Sequence, residues 1–323
     1  MLWTALKIVL ALILGAFVVS RTDLDGLVAL KDRISPVWLA AVSLLFVSLT
    51  LLKALQYYFL LGRRVGYFRV LHVVIIQNAV SNFIATSAGI ASYLTIFHLE
   101  HDVKLSRSAL AFLLAKVGDL ISIWFLLVVA SLWVWGQIEP YHLLVETLLI
   151  LLAGVILVFL LAVLSRKRFV AALRGLLARS GLDRIGLVLR SLETLQAIAQ
   201  QPQSLVFRSI GTAVVFSMVY LLVTMGWLYA GLRTFSLQIP VMTTVFVNTL
   251  LQLISYVPIQ AFGGLGVTEF TSLYLYQDVF HITQVDMAAV LIGIRVVFYL
   301  LNLGVLAYLP AEALWRREEA PAE

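Results

Sequence analysis

Pro258-Ile-Gln-Ala-Phe-Gly-Gly-Leu-Gly-Val-Thr-Glu269 is the stretch on which the reading of this chain turns. It puts a proline, three glycines and a carboxylate inside an otherwise oily segment, residues 241 to 280. Hydrocarbon offers no partner to unpaired N–H and C=O groups. Irregular backbone persists there only where protein shields it or where it lines a wet cavity. An ionisable group at that depth marks a functional site by default. The stretch therefore reads as part of a passage or binding site for a polar group crossing a bilayer.

Composition sets the solvent. Of 323 residues, 62% are hydrophobic and only 12% are charged, and apolar runs long enough to cross hydrocarbon recur along the chain. The expectation is an all-α polytopic membrane protein. Residues 2 to 19 read as a retained signal anchor, because Lys7 is the only early charge and no small-x-small cleavage site follows. The absence of cysteine excludes disulfides, thiolate metal sites and a cysteine nucleophile. The net charge of +6 gathers in a few loops, which fits membrane topology and anionic headgroups rather than nucleic acid.

Uninterrupted apolar helices fit residues 2 to 20, 37 to 61, 109 to 135, 143 to 164, 209 to 231 and 287 to 310, about six full spans. Two further apolar segments, 70 to 97 and 241 to 280, contain helix breakers and amides and suggest interrupted hairpins. Arg63, Arg64 and Arg69 mark one loop as cytoplasmic. Arg166, Lys167, Arg168, Arg174, Arg179, Arg184 and Arg190 mark the 165 to 207 loop the same way. Loops on one side require an even number of crossings between them, which favours a re-entrant 70 to 97 over a spanning one. Length permits either, since 28 helical residues reach about 42 Å against a core of about 30 Å.

The same counting gives two units of opposite orientation, 37 to 135 and 209 to 310, each a helix, an interrupted hairpin and a helix: an inverted repeat. Sequence echoes accompany it. Asn78-x-x-x-Asn82 precedes Gly89, and Asn248-x-x-x-Gln252 precedes Gly263; Lys116 lies seven residues after Ala109, and Arg295 lies eight after Met287. Around these units, a single membrane domain divides into a first span and outer loop (1 to 36), a span plus basic linker (136 to 208) and a cytoplasmic tail (311 to 323). Within the linker, Leu182, Ile185, Val188, Leu189, Leu192, Leu195 and Ile198 share a helical face, as in an amphipathic surface helix or a small soluble one.

Lys116, Asp119, Glu269 and Arg295 would each cost about 2.5 to 3.5 kcal/mol at mid-bilayer, so they should face inward and find partners. Lys116 and Asp119, three apart, can pair along one helix. Arg295 shares a face with Tyr299 and Asn302 and can grip a phosphate or carboxylate, or else pair with Glu269. Gly263, Gly264 and Gly266 suit an anion site at a half-helix start, and they equally suit close helix packing. Asn78, Asn82, Asn248 and Gln252 can hold neighbouring helices or contact a substrate. Lys53, with Thr50 and Tyr57 on its face, is expected to snorkel to the headgroups rather than line the cavity.

Enzyme signatures are thin. There is no Gly-Lys-Ser/Thr phosphate loop, no Gly-x-Ser-x-Gly elbow and no His-Glu-x-x-His pair, and His98, Glu100 and His101 read as loop residues rather than a metal cluster. No catalytic residue, cofactor or metal is expected.

Pro258 to Glu269, followed by a helix carrying Arg295 and Tyr299, resembles the second signature of the lysylphosphatidylglycerol synthase transmembrane region family, the flippase-like domain of multiple peptide resistance factors. In the first signature, members tend to show a Pro-Gly-rich turn with Gly-Glu and a downstream Arg, then Arg-x-x-Asp. Here the turn reads Ala85-Thr86-Ser87-Ala88-Gly89-Ile90, Tyr93 stands where the Arg would be, and Lys116-Val-Gly-Asp119 stands for the pair. The resemblance implies a lipid translocase fold. The family's aminoacylation activity resides in a large soluble C-terminal domain, and only residues 311 to 323 follow the last span here, so a stand-alone translocation module is expected.

The reading that results is a non-enzymatic lipid flippase or transporter of the bacterial cytoplasmic membrane, both termini cytoplasmic. It would move a phospholipid or a polyprenyl or other lipid-linked substrate held by Arg295, Lys116 and the glycine turn. The alternative is a non-transporting subunit that binds such a lipid for a partner glycosyltransferase or synthase.

Overall fold

The structure, a computed structural model, describes residues 30–164, 175, 203–256, 264–283 and 286–310. The expected first span at 2 to 20, nearly all of the 166 to 207 linker, Pro258 to Gly263 and the tail after 310 lie outside the described residues.

Helix α1, Pro36–Leu60, starts with proline at its first turn, where a missing N–H costs nothing, and stops before Gly62, whose φ of +73° is left-handed. Two shorter helices follow, α2 (Tyr67–Phe83) and α3 (Thr86–Leu99), broken at Ile84 and Ala85. Helix α4 spans Leu105–Val134. Two 3-10 turns, the second carrying Pro140, lead into α5, His142–Leu164. Helix α6, Gln203–Thr234, opens the second half. It is followed by α7 (Val241–Ser255) and by α8 (Val267–Tyr274), which runs into a π turn at Leu275–Val279. In α9, Met287–Leu306, the carboxylate of Asp286 accepts from the Ala289 N–H at 3.0 Å and caps the start.

Five helical stretches among the described residues are long and apolar enough to cross a membrane: Pro36–Leu60, Leu105–Gln137, Glu139–Leu161, Phe207–Thr234 and Met287–Pro310. Their sequence-based bounds hold except at two starts and at the end of α6, which runs on to Thr234 rather than 231. Helix α4 begins at Leu105 rather than 109, and α6 at Gln203 rather than 209. The apolar band marks hydrocarbon, not helix ends. Arg107 and Arg208 can sit in the extra turns because long cationic side chains reach back to the interface.

Segments 70 to 97 and 241 to 280 both fold back on themselves. Gly89 of α3 lies so close to α2 that a Cβ there would stand 2.7 Å from the Gln77 carbonyl oxygen, which fixes the two arms side by side. At 17 and 14 residues they reach about 25 and 21 Å. Both feet of this hairpin lie at one end of the bundle, where a Cβ on Gly62 would come 3.1 Å from the Arg107 guanidinium. In the second hairpin Phe246 of α7 meets Phe280, beyond the π turn, at 5.8 Å between centroids.

Helices α1 and α6 pack antiparallel along their length. The Ser35 N–H donates to the Thr234 carbonyl at 2.9 Å, Trp38 meets Tyr229, and Phe59 stacks on Phe216. Helix α4 runs parallel to α6, with Leu110 and Leu114 against Ile210 and with Ile123 and Leu126 against Leu221 and Met225. Helix α9 runs antiparallel to α6, with Gly293 on Phe235 and Phe298 on Trp227. One core cluster buries the feet of the second hairpin with Leu127, Ile138, Leu232 and Met287. Another buries the first hairpin with Tyr57, Leu61 and Ala111 and with Val305 and Leu309. Helix α5 leans on α4, where Trp124 donates to the Leu149 carbonyl at 3.1 Å, and leaves Leu143, Ile150 and Leu157 exposed.

Candidate functional site

Small residues let α4 and α6 approach closely enough to bury charge. Ala115, Gly118 and Ser122 of α4 face Ala213 and Ser217 of α6, and a Cβ on Gly118 would stand 2.6 Å from the Ala213 carbonyl oxygen. This brings the Ser217 hydroxyl within 2.6 Å of Asp119 Oδ1, to which it donates while accepting from Gln56 Nε2 at 2.8 Å. From α1, Lys53 Nζ reaches both oxygens of Asp119, at 3.2 and 3.1 Å. Lys53 also lies 4.9 Å from the Tyr220 ring centroid and 5.8 Å from that of Tyr57. The snorkel expected for Lys53 is thus overturned: its ammonium is tucked inward and ion-paired, because a carboxylate and two rings solvate it inside the bundle.

The expected Lys116–Asp119 pair is present at 3.6 Å, but it is the looser contact. Side-chain exposure is 37% for Lys116 against 12% for Lys53 and 13% for Asp119. The Lys116 ammonium stands 4.9 Å from the ring centroid of Tyr256, at the end of α7, and 5.8 Å from that of Phe112.

A second charged group lies on the other side of the break in the second hairpin. Arg295 Nε on α9 meets Glu269 Oε1 on α8 at 3.0 Å, and the other carboxylate oxygen accepts the Gly266 N–H at 2.7 Å. Gly264 and Gly266 adopt φ of +84° and +81°, which glycine tolerates without strain. Glu269 thus caps its own helix, and the Gly266 N–H is spent on a protein carboxylate rather than on an incoming anion. Gly263 lies outside the described residues. The guanidinium of Arg295 is 5.3 Å from the centroids of both Phe298 and Tyr299. Tyr299 in turn meets Phe83, at the tip of the first hairpin, at 5.7 Å. Beside it Asn82 Nδ2 donates to Asn302 Oδ1 at 2.8 Å. Contacts therefore run from the second hairpin through α9 to the tip of the first.

Among the described residues, no hydrogen bond joins the other amides to these groups. Asn248 is buried and donates to the Met225 sulfur at 2.9 Å, a helix-holding contact. Asn78 and Gln252 are half-buried on α2 and α7. Residues the sequence reading did not assign to the site are Gln56, Ser217, Tyr220 and Tyr256. A polar stripe on α1, Thr50, Lys53 and Gln56, all inward-facing, was the one available signal for them.

The described residues therefore form an apolar helical bundle with two broken hairpins and two interior charge clusters. No curated protein and no solved structure matches it. The profile of the family described as lysylphosphatidylglycerol synthase TM region matches residues 4–305, nearly the whole chain, and the protein belongs to that family of membrane domains.

Proposed function

We propose that the protein is a lipid translocator of the bacterial cytoplasmic membrane, moving a polar-headed lipid between leaflets without altering it. The observation that carries this reading is the placement of Lys53, Asp119 and Lys116, and of Glu269 and Arg295, beside the tips of two hairpins within apolar helices. Charges at that depth are costly, and in membrane proteins they accompany polar pathways. The element order helix, hairpin, helix occurs twice, and the leading helices α1 and α6 run antiparallel. This supports an inverted repeat with a re-entrant hairpin entering from each face. A headgroup would enter between the hairpin tips, exchange with the ion pairs and leave as the halves rock, its tails remaining in lipid. Arg63, Arg64, Arg69, Lys104, Arg107 and Arg208 gather at one end, which supports that end as cytoplasmic.

Proteoliposomes with labelled lipids test the reading. The unmodified chain is expected to move label between leaflets. Arg295→Ala and Glu269→Gln should each slow it roughly tenfold or more, equivalent to about 1.4 kcal/mol of barrier, while the purified variants keep their helical circular dichroism. Saturable lipid binding with no movement would instead identify a lipid-presenting subunit for a partner synthase or glycosyltransferase.

A further inference from the structure

We propose that the Lys53–Asp119–Lys116 cluster is the seat of one phosphodiester monoanion, the headgroup phosphate of a lipid that carries no amine. This names the substrate class within the translocation reading and rests on it.

Charge number makes the argument. Two ammonium groups and one carboxylate meet inside the bundle, leaving one positive charge in excess. Asp119 already accepts from Lys53 at 3.1 and 3.2 Å and from Ser217 at 2.6 Å. Lys53 is committed in turn to Asp119 and to the Tyr220 ring. Lys116 differs. Its contact with Asp119 is 3.6 Å, against about 2.7 to 2.9 Å for a strong charge-assisted bond. Its other neighbours here are the faces of Tyr256 and Phe112, which attract a cation but take up little of its three-donor capacity. Lys116 is also the one member with more than a third of its side chain exposed. It is the place where an acceptor oxygen from outside the chain can dock. Lying about 17 Å along α4, it is within reach of a lipid headgroup drawn into the bundle.

The guest that cancels the excess carries one negative charge. A phosphodiester does so throughout the physiological range. A phosphomonoester carries about 1.5 to 2 negative charges near neutrality, its second pKa being about 6. A choline-type headgroup nets zero, and a lysyl-esterified glycerol headgroup nets one positive. Where water is scarce, an unmatched unit charge is expensive, so charge number itself discriminates. Tyr256 adds a structural link. It sits at the end of the first arm of the second hairpin, so movement of that arm changes the site's wall.

Competition binding on the purified full-length chain in detergent, with a fluorescent phosphatidylglycerol as tracer, tests the proposal. Unlabelled phosphatidylglycerol is expected to compete about tenfold better than phosphatidylcholine, phosphatidic acid or lysylphosphatidylglycerol. Lys116→Gln should abolish that preference and Lys116→Arg retain it, each variant melting within a few degrees of the unmodified chain. Phosphatidic acid or lysylphosphatidylglycerol binding as tightly as phosphatidylglycerol overturns the charge match. So does selectivity that survives Lys116→Gln. Soluble glycerophosphoglycerol competing as well as the lipid overturns the lipid source. The panel on the unmodified chain decides the charge question even where a variant fails to fold. Because binding is read without vesicles, a lipid that binds selectively yet never crosses sinks the transport reading alone.

Discussion

Two lysines flank one aspartate, and their burial makes them different residues. Lys53 is held at 3.1 Å with 12% of its side chain exposed; Lys116 sits at 3.6 Å with 37% exposed. Removing the shared carboxylate leaves Lys53 as an uncompensated interior charge, so Asp119→Ala is expected to cost about 3 to 5 kcal/mol. Lys116→Gln breaks only the looser, partly solvated contact and should cost about 1 kcal/mol or less. Reversible unfolding in mixed detergent micelles measures both, and equal losses would refute the ranking. The i,i+3 spacing made the weaker pair legible because helical geometry relates neighbours in sequence. The stronger partner lies 66 residues away, and no local pattern links Lys53 to Asp119. Glu269 and Arg295 were legible as a possible pair for another reason: each is a lone charge in an apolar helix, so each needed a partner.

At the scale of elements, the contact between α4 and α6 depends on an absent side chain. A Cβ on Gly118 would come within 3.0 Å of the backbone carbonyl of Ala213 and the Ser217 hydroxyl, so the helices would have to separate. Gly118→Ala is accordingly expected to destabilise by about 1 to 3 kcal/mol through overpacking and to weaken the Ser217–Asp119 bond. Gly154 in α5 has nothing within 4 Å of its hypothetical Cβ. There the same substitution should be neutral, or stabilising by up to about 1 kcal/mol through helix propensity. Thermal melting of the two variants side by side checks the contrast, and matched shifts would remove packing as the cause. The sequence shows both glycines inside apolar helices and cannot rank them, since the difference lies in which face meets a neighbour. The hairpins were more legible. Breakers and amides in an apolar run announce an interruption, although where each arm turns depends on packing such as that of Gly89 on Gln77.

At the scale of the whole molecule, the arrangement of ends is the property from which function follows. The loop after α1, the start of α4 and the start of α6 share one end, joined by Gly62 beside Arg107 and by Leu110 beside Ile210. The opposite end gathers the start of α1, the 3-10 turns and the start of α9, with Asp32, Glu139, Asp278 and Asp286 interspersed among Lys31, Arg33 and Arg233. Loop charge made this division readable in the sequence, because Lys and Arg are expected to gather in the loops of one side. The depth of the first hairpin was not readable, because 28 residues of helix suffice either to cross or to turn back. If the first hairpin dips and returns, its two feet must face the same compartment. The chain has no cysteine, so single substitutions can report this cleanly. Arg64→Cys and Asp102→Cys, both exposed in the loops flanking the hairpin, are expected to react with a membrane-impermeant maleimide only after the inner face is opened. Gln137→Cys, exposed at the opposite end, should react in intact cells. Reaction of the Asp102 substitution from outside and the Arg64 substitution from inside would make the hairpin a crossing, bring an odd number of spans between the basic loops, and undo the mirrored arrangement on which a rocking mechanism depends.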